Sequence, residues 1–185
     1  MMNRIKAFFQ ILRVLPVLPF ANWQDSYFVK DLTRWKSIQH VQAPDWLALA
    51  QLLDRLPEFR NLFIYRNRFR RFYRGWIALW YRPMDTLYIQ AKEIGGGLYI
   101  QHGFATMITA ESIGENCWIN QQVTIGYNGH GRAPVIGNDV MITCGAKVLG
   151  EITIGDHAVI GANAVVIRDV EPGAVMGGVP ARRLK

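Results

Sequence analysis

Residues 136–166 read IGNDVM ITCGAK VLGEIT IGDHAV IGANAV V, with an aliphatic side chain at Ile136, Ile142, Val148, Ile154, Ile160 and Val166, six apart throughout. The same register runs backward through Ile125, Ile119 and Ile113, and again through Ile100 and Ile94. Glycine follows the aliphatic residue at Gly95, Gly114, Gly126, Gly137, Gly155 and Gly161, and small residues recur four places on at Ala146, Ala158 and Ala164. A helix turning every 3.6 residues or so cannot hold one face at a strict period of six, and a sandwich would show alternation broken at intervals of roughly eight to twelve. A coil with three short flat faces does satisfy the pattern. The aliphatic residue of each hexad points into a narrow prism and stacks on its counterparts, while glycine, asparagine and aspartate supply the unusual backbone angles of the corners. The expected architecture is therefore mainly β, a left-handed parallel β-helix over 87–185, preceded by an α-helical region over 1–86.

A strict repeat makes its interruptions informative. From Ile100 to Ile113 the step is thirteen rather than twelve, which places one extra residue near Phe104 to Glu111. From Ile125 to Ile136 it is eleven rather than six, so about five residues of 127–134 are expected to leave the coil as a loop. Rigid coils with a protruding loop are a common way to build a site on a repeat scaffold.

The first half has a different character. Residues 1–90 hold 14 of the 21 Lys and Arg against 6 Asp and Glu, whereas 91–185 hold 7 against 8. The net charge of +7 thus comes entirely from the first half, together with five of the six tryptophans. Apolar periodicity and the punctuation of Pro16, Pro19, Pro44 and Pro57 predict helices over Asn3 to Leu15, Trp23 to Ile38, Asp45 to Leu56 and Glu58 to Trp80. Phe69, Tyr73, Trp76 and Trp80 would then share one face as a core or oligomer stripe. The segment 65–74 mixes cations with aromatics, a composition suited either to a solvated face or to an anionic membrane surface; no nucleic-acid motif accompanies the charge. Ala7 to Phe20 is too short and too interrupted for a membrane span. Cys117 and Cys144 have neither disulfide-framework nor metal-ligand spacing, so no metal is expected, and a reducing cytoplasm fits, with contact to the inner membrane face as an accompaniment.

With the hexads, the stretch GGGLYIQHG at 95–103, NQQVTIG at 120–126 and the closing GVPAR at 178–182 in view, the chain resembles the serine acetyltransferase branch of the hexapeptide acyltransferases. The match runs from about Tyr88 to Lys185 and looks nearest to the serine-acetyltransferase-like enzymes of bacterial surface-polysaccharide clusters; the first half does not match the family's helical domain. The resemblance implies a homotrimer, in which trimers could also pair, with acetyl-CoA in a groove between neighbouring β-helices. It implies a histidine that deprotonates the acceptor hydroxyl, and His102 occupies that position. Imidazole suits the task because its ordinary pKa lies near neutrality, and general-base help of this kind contributes about 10²–10⁴-fold. Cofactor contacts carry over to Gly126, Cys144, Gly145 and Ala162, where small residues admit the pantetheine arm, and Arg168, Arg182 and Arg183 could meet the CoA phosphates.

Departures bear on the acceptor. The family's acidic residue before the histidine is Gln101 here, and its orienting aspartate one coil earlier aligns near Tyr88, which leaves Asp85 or Glu111 to fix the imidazole. The family's Arg-His-Pro in the loop reads Arg132, Ala133, Pro134; His130 could replace the lost histidine, and Arg132 is retained where an anionic group of the acceptor would be held. The reading that follows is acetyl transfer to a sugar hydroxyl of a surface polysaccharide or its precursor. The alternatives are serine O-acetylation and a non-catalytic trimeric scaffold.

Overall fold

The computed structural model describes residues 4–129 and 131–184. The chain divides into two compact units, Met1–Met84 and Asp85–Lys185. In the first, five α-helices are described: α1 (Arg4–Val14), α2 (Ser26–Ile38), α3 (Asp45–Arg55), α4 (Pro57–Arg66) and α5 (Arg71–Trp80). Two of the helix starts have a clear local cause. Asp25 accepts a hydrogen bond from the Tyr27 amide at 2.9 Å and caps α2, and Pro57 opens α4 at a position where its missing N–H costs nothing. The helices bury Trp35, Leu49, Leu52, Leu53, Phe59 and Phe63, with Trp35 against Phe59 and Phe28 against Phe63 at ring separations of 5.2 and 5.6 Å.

The long helix expected over Glu58 to Trp80 is two helices. Asn67 is buried and donates its side-chain amide to the Phe63 carbonyl four residues back, a bond that competes with continuation of the ladder and ends α4. The expected stripe divides with it. Phe69 falls in the turn and is exposed, Tyr73 packs on Phe20 at 4.5 Å, and Trp76 donates its indole N–H to the Pro16 carbonyl. No helix among the described residues is long and apolar enough to cross a membrane.

The second unit is a three-sided parallel coil. Face A stacks β1 (Leu87–Ile89), β4 (Thr106–Ile108), β7 (Thr124–Gly126), β10 (Lys147–Leu149) and β13 (Val165–Val166). Face B stacks β2 (Glu93–Ile94), β5 (Ser112–Ile113), β8 (Val135–Ile136) and β11 (Thr153–Ile154). Face C stacks β3 (Tyr99–Ile100), β6 (Trp118–Ile119), β9 (Met141–Ile142), β12 (Val159–Ile160), β14 (Val175–Gly177) and an antiparallel β15 (Arg182–Arg183). The hexad aliphatics pair coil upon coil, Ile94 to Ile113 to Ile136 to Ile154 on face B and Ile108 to Ile125 to Val148 to Val166 on face A. Ala146, Ala158 and Ala164 are fully buried at the corners, where the interior is tightest. Ile125 is also fully buried, so Ile125→Ala should remove about 2–5 kcal/mol by leaving a cavity, read as a lower denaturation midpoint of the β-helix.

Polar side chains carry the ladder where the backbone turns. Asp156 accepts from the Asn138 amide at 2.7 Å, and Asn138 accepts from the Glu115 amide at 2.8 Å. Gly137 sits under this column, and a Cβ there would lie 2.3 Å from the Asp156 carboxylate.

Candidate active site

The corner between faces C and A departs from the regular coil at one level. Counting back three residues from the buried aliphatic of β4, β7, β10 and β13 gives Ala105, Gln122, Gly145 and Asn163, all with left-handed backbone (φ 50°, 60°, 74° and 56°). At the first of these levels a second left-handed residue, His102 (φ 53°), precedes Ala105 in the same corner. Ile100 to Ile108 therefore takes eight residues and Ile108 to Ile113 only five. The extra residue expected near Phe104 to Glu111 is thus a surplus of two in the corner at 101–105 and a deficit of one in the next corner. The surplus carries His102 to the surface, where it is exposed.

Gln101, just before it, is held firmly. Its Oε1 accepts from the Trp118 indole N–H at 3.2 Å and from the Asn120 side-chain amide at 3.0 Å. Trp118 is fixed in turn by an edge-on contact with Tyr99 at 4.6 Å. An indole N–H can only donate, so the Gln101 carbonyl must face it and the Gln101 NH₂ is directed elsewhere. This support was not anticipated from the sequence, although Trp118 is the one tryptophan of the second half, and its isolation was a usable signal. Asp85 stands one coil before, in the same corner, opposite Phe104 in the register that pairs Leu87 with Thr106.

Cys144, Gly145 and Ala162 lie in the same corner at later levels, joined by the bonds Gly145 N–H to Gln121 O and Asn163 N–H to Cys144 O. Gly145 has no alternative in this column, because φ is +74° and a Cβ would lie 2.0 Å from the Asn163 side-chain oxygen. Gly126 is elsewhere, at the opposite end of its face A strand, where its carbonyl accepts from the Gly150 amide. Arg168 and Arg182, distant in sequence, line one cavity of about 290 Å³ with Met176, Pro180 and Ala181 at the end of the prism.

The third corner, between faces A and B, holds the loop 127–134, which leaves the coil between β7 and β8 as the spacing predicts. Glu111 belongs to this corner and not to that of His102. Its amide bonds the Pro134 carbonyl and its carboxylate bonds the Lys92 ammonium, which holds the carboxyl below its usual range. Within one chain a full face A strand separates Glu111 from His102, so this expected orienting partner is spent on Lys92. Arg132 is exposed and only loosely paired, its Nε 3.9 Å from Glu151, so its guanidinium has little to hold it. His130 lies outside the described residues.

The profile of the bacterial transferase hexapeptide (six repeats) matches residues 133–168. The serine acetyltransferase of Synechococcus elongatus is 42% identical over 94 residues, which are 49% of this chain and 38% of that curated relative, so the matched part spans well under half of its length. A serine acetyltransferase solved in complex with CoA superposes with a TM-score of 0.66 at 27% identity, over 97% of this chain and 75% of that one. Soybean serine acetyltransferase complexed with serine gives 0.63 at 27% identity, over 86% and 68%. The likeness in structure is therefore not confined to the β-helix, as the sequence had suggested. Repeat, coil geometry and relatives together make this chain similar in sequence and in fold to the serine acetyltransferases, with a bacterial transferase hexapeptide segment at 133–168.

Proposed function

We propose that the chain transfers an acetyl group from acetyl-CoA to an acceptor hydroxyl, with His102 as the general base. One observation carries the reading: the coil spends two surplus residues, one of them in left-handed backbone, to bring an imidazole to the surface below a column of small residues at Cys144, Gly145 and Ala162. His102 would take the hydroxyl proton as the oxygen attacks the thioester carbonyl, and return it to the departing CoA thiolate, so that atoms and charge balance over the cycle. Arg168 and Arg182 would receive the phosphates at the end of the prism. Because His102 and the Arg132 loop occupy different edges of one prism, the site we envisage is completed by a second chain, which supports the trimeric arrangement. We place the activity in the cytoplasm on the same grounds as in the sequence analysis.

For the acceptor, the relatives support serine ahead of the polysaccharide sugar expected from the sequence, since the proteins matched are serine acetyltransferases and one is complexed with serine. The sugar keeps one observation in its favour. With its Oε1 already satisfied twice, Gln101 can offer only its NH₂, a donor, whereas the ammonium group of serine calls for an anion. Release of CoA thiol from acetyl-CoA should occur with L-serine, and Gln101→Glu should lower the KM for serine by about tenfold through a charge-assisted hydrogen bond. Release with sugars alone would establish the glycan acceptor, and release with neither would leave a scaffold.

A further inference from the structure

Two stretches of the first unit contain no acidic residue: 1–24, with three cations, and 59–84, with seven arginines. These same stretches carry the unit's most exposed large apolar side chains. On α5, Phe72 (76% exposed), Trp76 and Leu79 (75%) follow one another at steps of four and three, with Phe69 (83%) just ahead of them and Phe72 and Trp76 stacked at 6.4 Å. On α1 and the turn that follows it, Phe8 (62%), Leu12 and Leu15 lie at the same spacing, with Gln10, Val14 and Val17 buried. The end of α1 is tied to α5: Arg13 donates to the Trp80 carbonyl at 2.8 Å, and Trp76 to the Pro16 carbonyl just past α1 at 3.0 Å. Both stripes are exposed, on two segments joined at that end. Arg70 and Arg74, both exposed, border the α5 stripe, and three acids of the unit are engaged: Asp54 by Arg13, Asp31 by Arg66, and Asp25, which lines one pocket with Phe69 and Arg70, by the Tyr27 amide.

We propose that the outward faces of α1 and α5 seat on an anionic lipid surface, with Phe8, Leu12, Leu15, Phe72, Trp76 and Leu79 in the headgroup and acyl boundary and the arginines at the phosphates. Three properties select this occupant. Phenylalanine, tryptophan and leucine flanked by arginine are the composition of an interfacial helix, and the two stretches carry cations and no acid toward a negative leaflet. Neither helix is long enough to cross, so each lies in the plane. A second copy of the same face would set the arginines of one chain against those of the other, with Asp25, Asp31 and Asp54 already engaged within each chain. The proposal does not depend on the acetyl-transfer reading. It would place the chain where lipid-linked or membrane-confined acceptors are concentrated.

The test is flotation of the full chain with vesicles of phosphatidylcholine alone and with about 30% phosphatidylglycerol. Partitioning should rise about tenfold or more on the anionic vesicles, given roughly 1 kcal/mol per cation near such a surface, and fall again at roughly 0.5 M salt. Phe72→Glu with Leu79→Glu alters two exposed positions, so the helical circular dichroism should stand while partitioning drops by about tenfold or more. Equal partitioning on both vesicles, none on either, or no response to the double substitution would each overturn the proposal. So would a fall in sedimenting mass caused by that substitution without lipid, since the face would then be covered by a second copy.

Discussion

His102→Asn should abolish nearly all turnover, with kcat/KM for acetyl-CoA and acceptor falling by about 10²–10⁴-fold in the thiol-release assay while the melting profile stays in place. Asparagine is the informative replacement. The position has φ +53°, a conformation asparagine tolerates and alanine adopts at a cost of about 1–2 kcal/mol, so His102→Ala would mix loss of the base with a strained corner. The imidazole is exposed, and the corner is built by backbone hydrogen bonds such as Gln122 N–H to Phe104 O, so little of the fold depends on the ring. Near-normal turnover by a folded His102→Asn protein would refute the assignment of the base.

Arg66→Ala should destabilise the helical unit by about 3–5 kcal/mol. Arg66 grips Asp31 with two nitrogens at 2.7 and 3.1 Å, and the two side chains are 6% and 1% exposed. Removing the guanidinium strands a carboxylate in an apolar interior. The remedy follows from the same cause: Asp31→Leu with Arg66→Met should cost less than Arg66→Ala alone, because no charge is then left buried. Tryptophan fluorescence during denaturation reads this unit selectively, since five of the six tryptophans belong to it. A loss under about 1 kcal/mol would show that water reaches the pair.

The parts of this molecule that were legible in sequence are those that a repeating constraint fixes many times over. Ile136 through Val166 announce a prism because each hexad must fill the same interior, and the loop at 127–134 shows as a jump too large to absorb. The His102 corner was blurred because a periodic count sees only the sum of adjacent errors. Two residues gained at 101–105 and one lost before Ile113 look like a single extra residue somewhere between. Partners across the coil were out of reach for a related reason. Glu111 lies nine positions after His102, yet the strand between them carries it to another edge, where Lys92 claims it. The break at Asn67 was hidden because the bond ending α4 depends on burial of that side chain, which composition does not record.

The reversed strand β15 has a bearing on how the prism behaves in a crowded solution. A stack of parallel coils offers, on every face, an open ladder onto which another stack could continue, and repeat proteins that leave such ladders bare grow into filaments. On face C the last rung runs the wrong way and presents Arg182 and Arg183, so an incoming coil would find its amides out of phase and positive charge in its path. End-on continuation of face C is thereby obstructed, whereas His102 and Arg132 lie exposed on the long edges of the prism.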